Sequence, residues 1–192
     1  SNDDIEVQSN QVLNQLSLIL DNNPEMKIIG PRVVGLTGRD QSPHWKPISL
    51  YREVAWNLLF FLRRPTKHAA KKKDLIATTE YCYWVSGAFF LVDAAAFLRV
   101  GGFDENVFLY NEEKILSERF LKHGWLCGWT PDVTVLHYEG ASTDISVNKR
   151  ALLQASSCYY YQYYRHYSYF AIILYQFSAV LNQIIKQFIR KK

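Results

Sequence analysis

Acidic residues are missing from the last quarter of this 192-residue chain. All 18 stand at or before Asp144, where they face 15 basic residues for a balance of −3. Residues 145–192 carry only the seven bases Lys149, Arg150, Arg165, Lys186, Arg190, Lys191 and Lys192, a balance of +7. An acidic body with a basic tail implies a partner: anionic lipid, nucleic acid or another chain. Cysteine is scarce. Cys82, Cys127 and Cys158 form no CxxC or Cys/His spacing, which argues against a disulfide scaffold or a structural zinc site. Nine glycines and six prolines exclude collagen-like or linker character. Hydrophobic residues at 48% against 21% charged permit a packed core and exclude wholesale disorder. The opening residues show neither an initiator methionine nor a signal peptide, and the chain is expected to lack an N-terminal portion of its parent.

An uninterrupted apolar run of roughly 20 residues, as a spanning helix needs, is also missing. The run from Phe170 to Ile189 is broken by Gln176, Ser178, Asn182, Gln183 and Lys186. Residues 150–192 hold eight of the 13 tyrosines, Tyr159, Tyr160, Tyr161, Tyr163 and Tyr164 among them. Tyrosine suits the headgroup level, so the tail reads as a helix lying on lipid; packing on the chain's own body or on a sister chain is the alternative. The tail has no glycine-rich or RNP-like pattern, which argues against nucleic acid.

Upstream, Val12, Leu13, Leu16, Ile19 and Leu20 share a helical face between a Ser9 or Asn10 cap and Asn22-Asn23-Pro24. Lys27 to Leu36 reads as a buried strand with a turn at Gly30-Pro31, and 37–47 as a loop. Ile48 to Arg64 reads as a helix running into the basic residues Arg63, Arg64, Lys67, Lys71, Lys72 and Lys73, either a solvated loop or a lipid-facing patch. Thr78 to Val85 is a strand, and Asp93 caps a helix over Ala94 to Val100 that stops at Gly101-Gly102. Glu112 to His123 is a helix closed by Gly124, and two short strands, 125–129 and 133–137, flank Thr130-Pro131-Asp132. Strands alternating with helices imply α/β with a largely parallel sheet.

Three groups could carry chemistry. The carboxylates of Asp3-Asp4, just before a helix, suit a hard divalent cation. Glu112-Glu113 opens a helix, where its dipole favours carboxylates; two adjacent acids also repel, which makes one of them a candidate general base. His137 ends an apolar strand, either as a structural residue or as a metal ligand.

The succession Asn2-Asp3-Asp4-Ile5-Glu6-Val7, Gly30-Pro31-Arg32, Trp84-Val85-Ser86-Gly87-Ala88, Gly101-Gly102-Phe103-Asp104-Glu105, Phe108-Leu109-Tyr110-Asn111-Glu112-Glu113, Gly124-Trp125, Pro131-Asp132 and His137-Tyr138-Glu139-Gly140-Ala141-Ser142 resembles the family 2 glycosyltransferases of the GT-A fold. The likeness is to their bacterial rhamnosyltransferase and galactofuranosyltransferase-like branch and covers residues 1 to about 143. It departs in having Glu113 where Asp is commoner, Ile115 where many members carry a further Asp, and Tyr138 and Glu139 for His and Gly.

The resemblance implies a partial GT-A, Rossmann-like mixed sheet flanked by helices over 1–144, its nucleotide-binding unit missing; the composition of 145–192 adds a basic, aromatic helical extension that meets a membrane surface or another copy. It implies Asp4 and His137 as ligands of Mg²⁺ or Mn²⁺, Trp84, Ser86 and Gly87 as substrate-binding, Glu113 as the base and Glu112 as its neighbour. The implied reaction is inverting transfer from a UDP- or dTDP-linked sugar to a saccharide or lipid-linked saccharide acceptor, in cell-surface polysaccharide synthesis at the cytoplasmic face of a bacterial membrane. These 192 residues alone are expected to transfer no sugar. The competing expectation is a non-catalytic assembly domain that uses its aromatic tail.

Overall fold

The computed structural model describes residues 3–59, 79–138 and 149–190, the side chain of Arg190 excepted. Asn2, the run from Phe60 through the basic stretch to Thr78, the motif end Glu139 to Ser142, and Lys191-Lys192 lie outside the described residues.

Five strands form one sheet: β1 (Ile5–Val7), β2 (Met26–Gly35), β3 (Glu80–Cys82), β4 (Leu91–Val92) and β5 (Leu126–His137). Its order is β1-β5-β2-β4, with β3 also pairing to β5. Only β2 and β5 run parallel; the pairings of β1 and β3 with β5 and of β4 with β2 are antiparallel. The sheet is mixed α/β and consistent with a partial Rossmann-like fold followed by a helical C-terminus. The largely parallel sheet expected from alternating elements is thus corrected: β1 and β4 are too short to announce themselves by periodicity, and the strand expected over 78–85, seen as β3, carries no local mark of its antiparallel direction.

β2 is likewise one strand, with no turn at Gly30-Pro31. Proline has no N–H to give the ladder, so the pairing must slip there. Pro31 sits opposite Thr130 and Arg32 opposite Thr134. The slip is taken up by Pro131, Asp132 and Val133, and the two strands expected over 125–137 are one strand with a bulge. Gly30 is required at this crossing, since a Cβ there would lie 2.6 Å from Val85 Cβ. Gly30→Ala is expected to destabilise the protein by about 1–3 kcal/mol through overpacking, read from urea unfolding.

Neighbouring side chains of β2 point to opposite faces and build two cores. Ile29 and Val33 pack with Val133 and Val135 beneath α1 (Val12–Asn22), which contributes Val12 and Leu16. On the other face Ile28 meets Val85, Cys127 and Trp129 beneath α3 (Ala94–Arg99) and α4 (Glu112–Lys122), which contribute Ala96, Leu116 and Phe120. The helix stops follow the sequence. Asp93 Oδ1 accepts from Ala96 N at 2.9 Å, and Gly101, Gly102 and Gly124 take positive φ where α3 and α4 end.

A third core joins α2 (Leu50–Leu58) to the tail: α5 (Lys149–Tyr159), a π-helical turn (Tyr160–Tyr164) and α6 (Tyr169–Arg190). Leu50, Val54, Val107 and Ile115 surround Tyr160, Tyr161, Ala171, Ile172 and Tyr175. These three tyrosines are buried and so do not sit at a headgroup level. The Tyr83 hydroxyl donates to Glu118, and its oxygen lies 2.6 Å from the Tyr160 hydroxyl. Arg165 pairs with the same Glu118 at 2.7 Å, and Tyr164 donates to Asp104 at 2.5 Å. Phenol hydroxyls with protein partners can be buried at little cost, which composition alone does not reveal.

Candidate active site

α4 starts on a strained backbone. Tyr110 and Asn111 both have left-handed φ, at 68° and 67°. Such geometry is costly for side chains other than glycine and persists only where neighbours hold it. Here α5 holds it: Ser156 Oγ donates to Leu109 O at 2.6 Å, and Asn111 Nδ2 donates to Ser157 Oγ at 3.2 Å. The turn delivers Glu112 and Glu113 as the first residues of α4.

The carboxylate of Glu113 faces the Trp84–Ala88 segment, its Oε2 lying 3.6 Å from where a Cβ on Gly87 would stand. Burial, helped by the charge of Glu112, pushes the Glu113 carboxyl up to about 7. Glu112 Oε2 is itself buried and has no hydrogen-bond partner. Lys114 follows, with Nζ donating to Asn111 Oδ1 at 2.6 Å and lying 5.1 Å from the centre of the Trp84 ring. Burial lowers the Lys114 pKa, against the pull of Glu113, Glu53 and Glu112. The opposite face of the site is aromatic: His44 stacks on Trp84 at 3.6 Å with rings 4° from parallel. Burial, and then the nearby Lys114 charge, bring His44 down to about 4, so it is neutral near pH 7.

Asp4 and His137 meet at a different sheet position. β1 pairs Ile5 with His137, which sets Asp4 beside the end of β5, and Tyr138 N donates to Asp4 O at 2.9 Å. His137 Nε2 lies 3.2 Å from Asp4 Oδ1. That oxygen is buried and accepts no aligned hydrogen bond. On the other side of the ring, His137 Nδ1 is 2.7 Å from Gln41 Oε1, an acceptor, so Nδ1 carries the proton and donates. His137 Nε2 and the Asp4 carboxylate oxygen, both of types that can ligate a divalent cation, thus face one another at the junction of β1 and β5. Asp3 is exposed and takes no part in this contact.

The structure therefore brings the expected site residues together in two groups, Glu112, Glu113, Trp84 and Gly87 in one and Asp4 with His137 in the other. One loop joins them. Gln41 reaches His137, Ser42 Oγ accepts from Ser86 N at 3.3 Å, and His44 pairs main chain to main chain with Trp84. Sequence reasoning passed over Gln41, His44, Lys114 and Asn111. The first two lie in a stretch read only as a polar loop; Lys114, beside the glutamate pair, was a signal open to use.

Over 84 residues the chain is 39% identical to the N-acetylglucosaminyl-diphospho-decaprenol L-rhamnosyltransferase of Mycobacterium tuberculosis, in strain CDC 1551 / Oshkosh and equally in strain ATCC 25618 / H37Rv. The chain is similar to a rhamnosyltransferase. The match takes in 44% of this chain and 27% of those enzymes, so the chain spans about a quarter of the length of the curated relatives it matches. No family model matches the chain. The similarity supports kinship with glycosyltransferases over the matched part.

Proposed function

We propose that this chain carries the acceptor-side part of a metal-dependent, inverting family 2 glycosyltransferase with Glu113 as its general base. The observation that carries the reading is the half-buried Glu113 carboxylate set against Gly87, with a pKa of about 7. A base is most effective when its pKa lies near the working pH. Glu113 takes the proton of an acceptor hydroxyl, whose oxygen forms the new bond to the anomeric carbon. The bond from that carbon to the nucleoside diphosphate breaks on the opposite face, and the electron pair leaves with the diphosphate. Glu112 keeps Glu113 basic through like-charge repulsion, and Lys114 balances the ionised pair. Trp84, stacked on His44, offers a flat apolar face on which a sugar ring can rest, and Ser86 with Gly87 shapes the adjoining turn.

Asp4 and His137 would hold Mg²⁺ or Mn²⁺. The fit rests on the buried Asp4 Oδ1, which accepts no aligned hydrogen bond and lies 3.2 Å from His137 Nε2. Among the described residues no group of three or more His, Cys, Asp or Glu side chains could hold a metal. A two-ligand site suits a cation that keeps water and takes substrate phosphate oxygens. Bound there, the cation supplies charge neutralisation for a diphosphate.

The relatives' name describes rhamnosyl transfer involving N-acetylglucosaminyl-diphospho-decaprenol. For this chain we take from it the acceptor class, a saccharide on a diphosphate lipid, with a UDP- or dTDP-linked sugar as donor. The test is transfer of labelled sugar to such a lipid by the full natural protein. Asp4→Asn is expected to weaken Mn²⁺ binding, followed by the paramagnetic signal of free Mn²⁺, on the order of tenfold or more. Unchanged Mn²⁺ binding would remove the metal assignment, and absence of transfer with every nucleotide sugar tried would remove the reaction.

A further inference from the structure

α6 has two unlike sides. The inner side is fixed to α2: Ala171, Ile172 and Tyr175 pack against Leu50 and Val54. Polar bonds continue the attachment, with Asn57 Nδ2 donating to Ser178 Oγ and Asn182 Nδ2 donating to Asn57 Oδ1, both at 3.1 Å. The outer side carries Phe170, Ile173, Phe177, Val180, Ile184 and Phe188, spaced by three or four residues and therefore in one line. All six are exposed, Phe170 to 82%, Phe177 to 62% and Phe188 to 69%. Along the helix axis the stripe from Phe170 to Phe188 runs about 27 Å. Soluble surfaces rarely leave so long an apolar line open to water.

We infer that α6 lies flat in the surface of an anionic membrane, with its Phe170–Phe188 stripe among the acyl chains and its inner side still on α2. Charge selects lipid over a second copy of the chain. Every charged residue after Asp144 is basic, and Lys186, Arg190, Lys191 and Lys192 gather at the sequence end of the stripe. Such a segment is drawn to an anionic bilayer and repelled by its own kind. Length and composition would also let Tyr169–Ile189 cross a bilayer. The attachment to α2, which runs from Ala171 to Asn182, argues for the in-plane position, because a crossing helix would have to leave that core. Amphipathic helices with basic residues and an aromatic apolar face adopt this in-plane position. The inference stands on the exposed face alone and does not depend on sugar transfer.

The experiment labels Phe177→Cys with an environment-sensitive fluorophore. Burial raises the thiol pKa of native Cys82, Cys127 and Cys158, so they react slowly beside an exposed cysteine. Emission is expected to move to the blue on adding phosphatidylcholine–phosphatidylglycerol vesicles, and much less with phosphatidylcholine alone. Phe170→Glu and Phe188→Glu should each cut vesicle partitioning at least about tenfold. Leu98→Glu, equally exposed but on α3, should leave it unchanged, and circular dichroism should stay constant throughout. A blue shift that grows with protein concentration without lipid would assign the stripe to a second copy and overturn the inference. So would a blue shift already present in dilute protein, which would mean that the chain covers the stripe itself. No response to vesicles overturns it as well.

Discussion

Glu113→Gln is expected to lower sugar transfer by the full natural protein by about 10²–10⁴-fold while making the protein more stable. The two effects have one cause. The Glu113 carboxyl is held at about 7 against an ordinary 4.5, so the folded state resists its ionisation. Below about pH 4.5 both folded and unfolded chains keep the proton and no penalty exists. Between about 4.5 and 7 the unfolded chain ionises first and stability is lost as pH rises; above about 7 the full penalty remains. A shift of this size corresponds to at most about 3 kcal/mol. Glutamine keeps the shape and removes the charge, so the gain should be large at pH 8 and vanish at pH 4, as measured by urea unfolding at both pH values. Activity of the unmutated enzyme should rise through pH 7 with a single ionisation. A variant with full activity, or with no pH-dependent stabilisation, would refute the assignment of Glu113.

Removing residues 149–192 is expected to prevent folding altogether. The cut withdraws Tyr160, Tyr161, Ala171, Ile172 and Tyr175 from the core they share with Leu50, Val54, Val107 and Ile115. Burying a large apolar side chain contributes roughly 1.5–3 kcal/mol, so the loss approaches the whole net stability of a domain, about 5–15 kcal/mol. A milder form of the same test is Arg165→Ala. It leaves the buried Glu118 carboxylate without its cation and should cost about 3–5 kcal/mol in urea unfolding. A soluble, cooperatively folded chain lacking the tail would show the third core to be dispensable.

The sequence made some parts of this molecule legible because their cause is local. Asp93 caps α3 and glycines end α3 and α4, and each of these follows from one residue's own chemistry. The Trp84–Ala88 segment and Glu113 could be linked through resemblance, and in the structure the Glu113 carboxylate faces the side of Gly87 where a side chain would stand. What escaped depended on distant partners. The passage of β2 through Pro31 works because Pro131 and its neighbours bulge on the adjacent strand, a hundred residues away in sequence. The tyrosines of the tail read as amphipathic until Tyr83, Ile48 and Asp104 are seen to meet their hydroxyls. His44 carries no signal of its own; the stack with Trp84 exists only once the loop after β2 has crossed the sheet end.

The widened turn at Tyr160–Tyr164 has an evolutionary consequence. Within five residues it sends Tyr160 toward Tyr83, Tyr161 toward the Ile48 carbonyl and Tyr164 toward Asp104. A π turn accommodates one more residue than an α turn. Losing a single amino acid here would therefore misdirect all three anchors at once, whereas point replacements would disturb them one at a time. Lineages carrying this chain should tolerate exchanges in the segment far better than changes in its length.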